Sequence, residues 1–174
     1  MSILLEIDGK YLKSAYSVYI IEIINNTSKY YYIGQTGDSN YVTSRSPLRR
    51  LIGHLSDVKS STENQIYKAI FKILIQKENI DLKSYTREEK ELIENFFVSS
   101  IIRMYSFPLF EFKYDETKEN HRNIRREVLE FEKQIIDVFS KSSLMVLNNK
   151  IPKKVNSNIK FVAEFNEIKK TFEV

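Results

Sequence analysis

With 174 residues, 42% of them hydrophobic, the chain is long enough for a single domain with a real core and is not a disordered polymer. It has no cysteine, which excludes disulfides and thiolate metal sites; residues 1–10 are not a secretory signal, and no apolar run approaches the roughly 18 residues of a membrane span, so a soluble cytoplasmic protein is expected. A formal net charge of +4 and a pI of about 9.0 fit a nucleic-acid partner, although many proteins that bind none are as basic.

Residues 17–24 (SVYIIEII) are β-branched and aromatic and predict a strand. Asn25-Asn26-Thr27-Ser28 is turn chemistry, and residues 29–34 (KYYYIG) predict a second strand, so the pair reads as a hairpin. Alternation puts Tyr31 on the face opposite Tyr30 and Tyr32, and Gly34 reads as permitting a turn that no side chain would tolerate. Residues 35–47 are polar and predict a loop. Pro47 then opens a helix carrying Leu48, Leu51 and Leu55 at helical intervals.

Residues 64–77 predict an amphipathic helix through Ile66, Ile70, Ile73 and Leu74. Thr86-Arg-Glu-Glu89 is a capping box that starts another, with Leu92, Ile93, Phe96 and Phe97 behind it. Residues 99–112 predict a third strand, in which Pro108 requires a bulge or an edge. Residues 120–140 form a long helix with the stripe Ile124, Val128, Leu129, Phe131, Ile135 and Phe139, and His121 in its charged first turn reads as exposed. The tail from Ile151 is Lys-rich, and residues 161–174 suggest a strand and then a short helix. One α/β domain of the α+β kind follows: a small, mainly antiparallel three-stranded sheet flanked by helices, with a core at about 16–149 and a basic extension at 150–174.

Several residues could carry chemistry. Tyr19 and Tyr32 lie in the hairpin. Arg50 and His54 are four apart and share a helix face; Arg49 is the alternative register. Glu132 competes with Glu130, and a helix sets the two about 200° apart, so only one faces a given site. Glu132 is four residues from Val128 and three from Ile135, on the buried flank. Asn148 and Asn149 close the region. A tyrosine in a strand is most often packing, a lone helix histidine is as often structural as functional, and the lysines at 150, 153, 154 and 160 read first as solvated surface.

The ordered set resembles the GIY-YIG nuclease superfamily over about 17–149. Tyr32-Ile33-Gly34 is an intact YIG; Ser17-Val18-Tyr19 keeps the Tyr of GIY and lacks its Gly. Arg50-Leu-Ile-Gly-His54 matches the family's Arg and His, and Glu132, before Lys-Gln-Ile-Ile, matches its Glu. The segment between Gly34 and Arg50 is longer than the minimal spacing, and Gln35 stands where a number of relatives have Lys.

The resemblance implies the GIY-YIG fold with insertions and a metal-dependent endodeoxyribonuclease acting on double-stranded DNA. It implies one Mg²⁺, with Mn²⁺ as a substitute, on Glu132 alone. Arg50 would neutralise the phosphate, and Tyr19, helped by His54 or Tyr32, would deprotonate water once nearby cations lower its pKa. Asn148 completes the implied set. The compact chain is most similar to the type II restriction endonucleases of the superfamily, which often work as dimers. Two alternatives are a phage or mobile-element nuclease of looser specificity and a catalytically inactive DNA-binding module. Expected DNA contacts are Asn40, Tyr41, Arg45 and Arg49 around the long loop, and Lys153 and Lys154 in the tail.

Overall fold

The structure is a computed structural model that describes residues 6–55, 64–76 and 86–174. Lys77, the expected end of the second helix, and residues 1–5 of the N-terminal segment lie outside the described residues.

The organising element is strand β1, Ala15–Asn25, which is buried without interruption from Ala15 to Ile23. A run of Val, Ile and Tyr with almost no polar alternation suits a strand covered on both faces. It turns at Asn26, whose φ of 52° lies in the left-handed region that Asn tolerates, into the antiparallel β2, Ser28–Gln35. On the other side of β1 runs the antiparallel β3, Ser100–Glu111. Its pairing slips between Tyr16 and Ser17, which face Phe110 and Pro108. Pro108 therefore sits both on an edge strand and at a bulge, as its missing N–H requires.

A fourth strand, β4 at Met145–Val146, pairs parallel with Tyr30 and Tyr31 and makes the sheet order β3-β1-β2-β4. The expected count of three is thus corrected to four among the described residues, and the α+β class holds. Two residues are too short a run to show the alternation that marks a strand.

Helices cover both faces of the sheet. On one face α4, Lys118–Lys141, and α5, Val162–Phe172, bury Val128, Phe131, Ile135, Phe139, Ile168 and Phe172 against Tyr16, Val18, Ile20, Tyr31 and Ile33. The tail therefore supplies a helix and no strand at 161–174. On the opposite face α2, Gln65–Ile75, and α3, Arg87–Val98, pack Ile66, Ala69, Ile70 and Phe96 against Tyr19, Ile21, Ile23 and Tyr30. The Thr86 capping box is formed: Thr86 Oγ1 accepts from Glu89 N at 3.2 Å and Glu89 Oε2 accepts from Thr86 N at 3.0 Å. Helix α1, Pro47–Leu55, lies on this second face, over the end of the hairpin. Among the described residues no helix is long and apolar enough to cross a membrane.

Candidate active site

Tyr19 stands on the α1 face of β1, directly opposite Gly34 of β2. The Tyr19 ring lies across that glycine: a Cβ there would sit 2.5 Å from Tyr19 Cζ and nearer still to Oη. No glycine among the described residues has a positive φ. Gly34 is therefore needed for space and not for a turn, which corrects the expectation from sequence. Gly34→Ala is expected to push Tyr19 off its partners, costing about 1–3 kcal/mol of stability by overpacking and at least about tenfold in activity. At Gly37 the nearest obstacle is the flexible end of Gln35, at 3.1 Å, so Gly37→Ala should be milder. Thermal melts of the two variants check this; a Gly34→Ala protein that melts with the wild type would contradict it.

Tyr19 Oη is held from two sides. Arg50 Nε donates to it at 3.1 Å, and His54 Nε2 lies 2.6 Å away. Helix α1 presents both partners because they are one turn apart, and Pro47 at its first position starts it where an N–H is dispensable. His54 is buried, with its ring 4.5 Å from that of Tyr32, centroid to centroid. Arg49 is exposed, so Arg50 is the residue that faces the site.

Burial dominates the electrostatics. It raises the Tyr19 hydroxyl to about 12, against the opposing effect of Arg50. Tyr32 is likewise raised well above its usual value by burial, and then by Tyr19 and Glu132. His54 is lowered to about 3, by burial first and by Arg50 second, so the imidazole is neutral. The expectation that nearby cations lower the tyrosine pKa is thus reversed: desolvation of the phenolate outweighs the guanidinium.

Glu132, on α4, lines a cavity of about 520 Å³ together with Tyr32, Gln65, Asn148, Asn149 and Lys150. Among the described residues no hydrogen bond or ion pair reaches its carboxylate, and burial raises it to about 7 despite the lowering effects of Arg50, Arg125 and Lys133. Its charge acts in turn on Tyr19, Tyr32 and Arg50. Glu130 is turned away, accepting from Asn156 N at 3.0 Å and from Lys133 Nζ at 3.2 Å. Asn148 is spent on the scaffold: its amide donates to Ile33 O at 2.7 Å and its carbonyl accepts from Ile33 N at 2.9 Å, which continues the ladder beyond β4. Asn149 is exposed and donates to Gln65.

The long loop is ordered around Asp38. Its carboxylate accepts from Asn40 N at 2.8 Å and Tyr41 N at 3.2 Å and bridges Arg45 at 3.3 Å. Burial works to raise Asp38, and these bonds and charges outweigh it and hold its pKa low. Asn40 and Tyr41 project into solvent at the tip, Tyr41 at 71% exposure. Lys153 and Lys154 are exposed, and Lys153 lines a different cavity, beside Gln134 and Asp137. The structure does not bring the tail pair into the Glu132 cavity; Lys150 is the tail lysine that lines it.

His121 is buried, which corrects its reading as exposed. It lies 2.7 Å from Tyr16 Oη through Nδ1 and 3.0 Å from Asp38 O through Nε2, tying α4 to the loop. The available signal was its helical spacing to Ile124 and Val128 of the apolar stripe. Arg125, four residues further, was also missed.

No family model matches the chain, and neither a curated protein nor a solved structure matches it.

Proposed function

We propose that the chain is a metal-dependent endonuclease of the GIY-YIG kind that hydrolyses phosphodiester bonds of double-stranded DNA. The observation that carries this reading is the placement of Tyr19 Oη between Arg50 Nε and His54 Nε2, within the electrostatic reach of Glu132. Five residues distant in sequence, Tyr19, Tyr32, Arg50, His54 and Glu132, meet at one end of the sheet. Their chemistry suits phosphoryl transfer, in which positioning and charge stabilisation do most of the work.

The residues fit a divalent cation at Glu132. Its carboxylate lines a cavity, lacks a partner among the described residues and is held near neutrality by burial, so a hard cation would restore its charged form. Among the described residues no group of three or more His, Cys, Asp or Glu could hold a metal. The ion would take Glu132 as its protein ligand, with water and phosphate oxygens in the rest of its shell, an arrangement Mg²⁺ accepts and Mn²⁺ can share. When bound, such an ion stabilises a leaving oxygen and acidifies water.

The side chains do the remainder. Arg50 uses one of its five N–H groups on Tyr19, which leaves the outer fork for a non-bridging phosphate oxygen. With its raised pKa Tyr19 is a phenol at rest, so it serves as a relay and not as a standing base. Its proton passes to His54 Nε2 as its oxygen takes one from the attacking water, leaving an imidazolium and a hydroxide equivalent. This direction places the resting ring proton on Nδ1, which is buried without a partner among the described residues. A phosphodiester paired with Arg50 would offset the second of the two causes that depress His54, so its basicity would rise when substrate arrives.

The ordered loop with Asn40 and Tyr41 at its tip suits recognition of a DNA site, which supports a restriction-type enzyme over one of looser specificity. The test is supercoiled plasmid incubated with pure protein in Mg²⁺ and in chelator. Conversion to nicked and linear forms in Mg²⁺ alone is the expected result; intact plasmid bound by the protein in both conditions would leave a DNA-binding module as the function.

A further inference from the structure

Helix α4 carries a second cation toward the site. Arg125 precedes Glu132 by seven residues, which is two turns and the same face, about 10 Å along the axis. Its side chain packs beside the loop that follows β2: its Cγ would lie 3.5 Å from a Cβ at Gly37, and the same Cβ would be 3.1 Å from Gln35 Oε1. Arg125 Nε is buried with no hydrogen-bond partner among the described residues, and Gln35 Oε1 is buried in the same condition. Buried donors of this kind are costly to leave unmade, and a guanidinium is a fork matched to phosphate oxygens.

The charge balance of the site points the same way. Arg50, Arg125 and Lys133 all act on the carboxylate of Glu132; Lys133 is paired with Glu130 at 3.2 Å, which leaves Arg50 and Arg125 as two cations to one anion before any substrate or metal arrives. Gln35, the residue after Gly34, is neutral and its amide donates to Gly37 O at 2.8 Å, so it supplies no charge there. One turn earlier on α4, His121 is bonded to Asp38 O, which fixes the helix against the loop and sets where Arg125 emerges.

We infer that Arg125 is a second phosphate-binding residue of the site, holding the phosphodiester backbone from the α4 side while Arg50 holds it from α1. This rests on the nuclease reading and adds to it the surface along which the backbone lies, between the loop at 36–38 and α4.

The test compares wild type, Arg125→Ala, Arg125→Lys and the exposed neighbour Arg126→Ala in two measurements. One is single-turnover cleavage of plasmid in Mg²⁺; the other is binding of a short duplex in Ca²⁺ across a salt series. Arg125→Ala is expected to cleave on the order of a hundredfold more slowly, as for loss of one transition-state charge contact, and to lower the slope of log affinity against log salt by about one. Arg125→Lys should keep the salt slope and recover little of the rate, while Arg126→Ala should match wild type in rate. An active wild type with Arg125→Ala unchanged in rate and salt slope overturns the inference alone. A wild type that neither cleaves nor binds duplex overturns the nuclease reading and this inference with it. If Arg125→Ala does not fold, the Lys variant decides: full wild-type rate refutes a guanidinium-specific role.

Discussion

Glu132→Ala is expected to abolish plasmid cleavage in Mg²⁺ while binding of duplex DNA in Ca²⁺ persists. Among the described residues the carboxylate is the one acidic group that lines the cavity beside Tyr32, and no other side chain bonds to it. Removing it takes away the only proposed protein ligand of the cation, so the effect is a loss and not a reduction. The same residue carries a stability signature with a definite sign. Burial raises Glu132 from 4.5 to about 7, so the folded state holds the proton that the unfolded chain has already released. That contribution is complete below about pH 4.5 and is lost as pH rises toward 7. Metal-free wild type should therefore lose stability across that window, Glu132→Gln should lose less, and Mg²⁺ should restore stability to the wild type alone. Thermal melts against pH read this directly. Near-normal cleavage by Glu132→Ala, with Glu130→Ala inactive instead, would reverse the assignment.

Arg50→Ala should cost at least about a hundredfold in single-turnover rate, and Arg50→Lys should recover little of it, because a point charge does not replace a planar fork. Two functions would disappear together: the proposed contact to the phosphate and the 3.1 Å bond that orients Tyr19. Arg50 is also the second cause of the depressed His54 pKa, after burial. The His54 titration, followed by NMR, should move upward from about 3 in the alanine variant and stay below 6.5 because burial remains. A more damaging Arg49→Ala would place the wrong face of α1 toward the site, against the exposure of Arg49.

The hairpin and α1 were legible in the residues because each states its own geometry. A β-branched run, an Asn-rich turn and a Pro-initiated helix are local signals, and the four-residue spacing of Arg50 and His54 sets their common face before any tertiary contact is known. Helix phase likewise separated Glu132 from Glu130. The short strand β4 was not legible, since a parallel pairing of two residues depends on the position of Tyr30 and Tyr31 and not on its own sequence. Neither was the electrostatics. Whether Tyr19 has a lowered or a raised pKa is decided by how completely α1, β2 and β3 close over it, and burial there exceeds the influence of one guanidinium. Gly34 shows the same limit: its motif was visible, but its reason, the ring of Tyr19 on the neighbouring strand, is a cross-strand fact. His121 read as exposed because a charged first turn looks solvated until the loop at 36–38 is seen lying against it, and nothing in the local pattern sets Arg125, one turn on, apart from its charged neighbours.

The most direct test of the account is cleavage of one closed-circular plasmid by wild type and Glu132→Ala, purified in parallel, with the termini of any products mapped. Wild type is expected to make Mg²⁺-dependent breaks with 3′-hydroxyl and 5′-phosphate ends, clustered at a short site, and the variant none. Equal cutting by both proteins, or intact plasmid from a folded wild type in Mg²⁺ and in Mn²⁺, would contradict it.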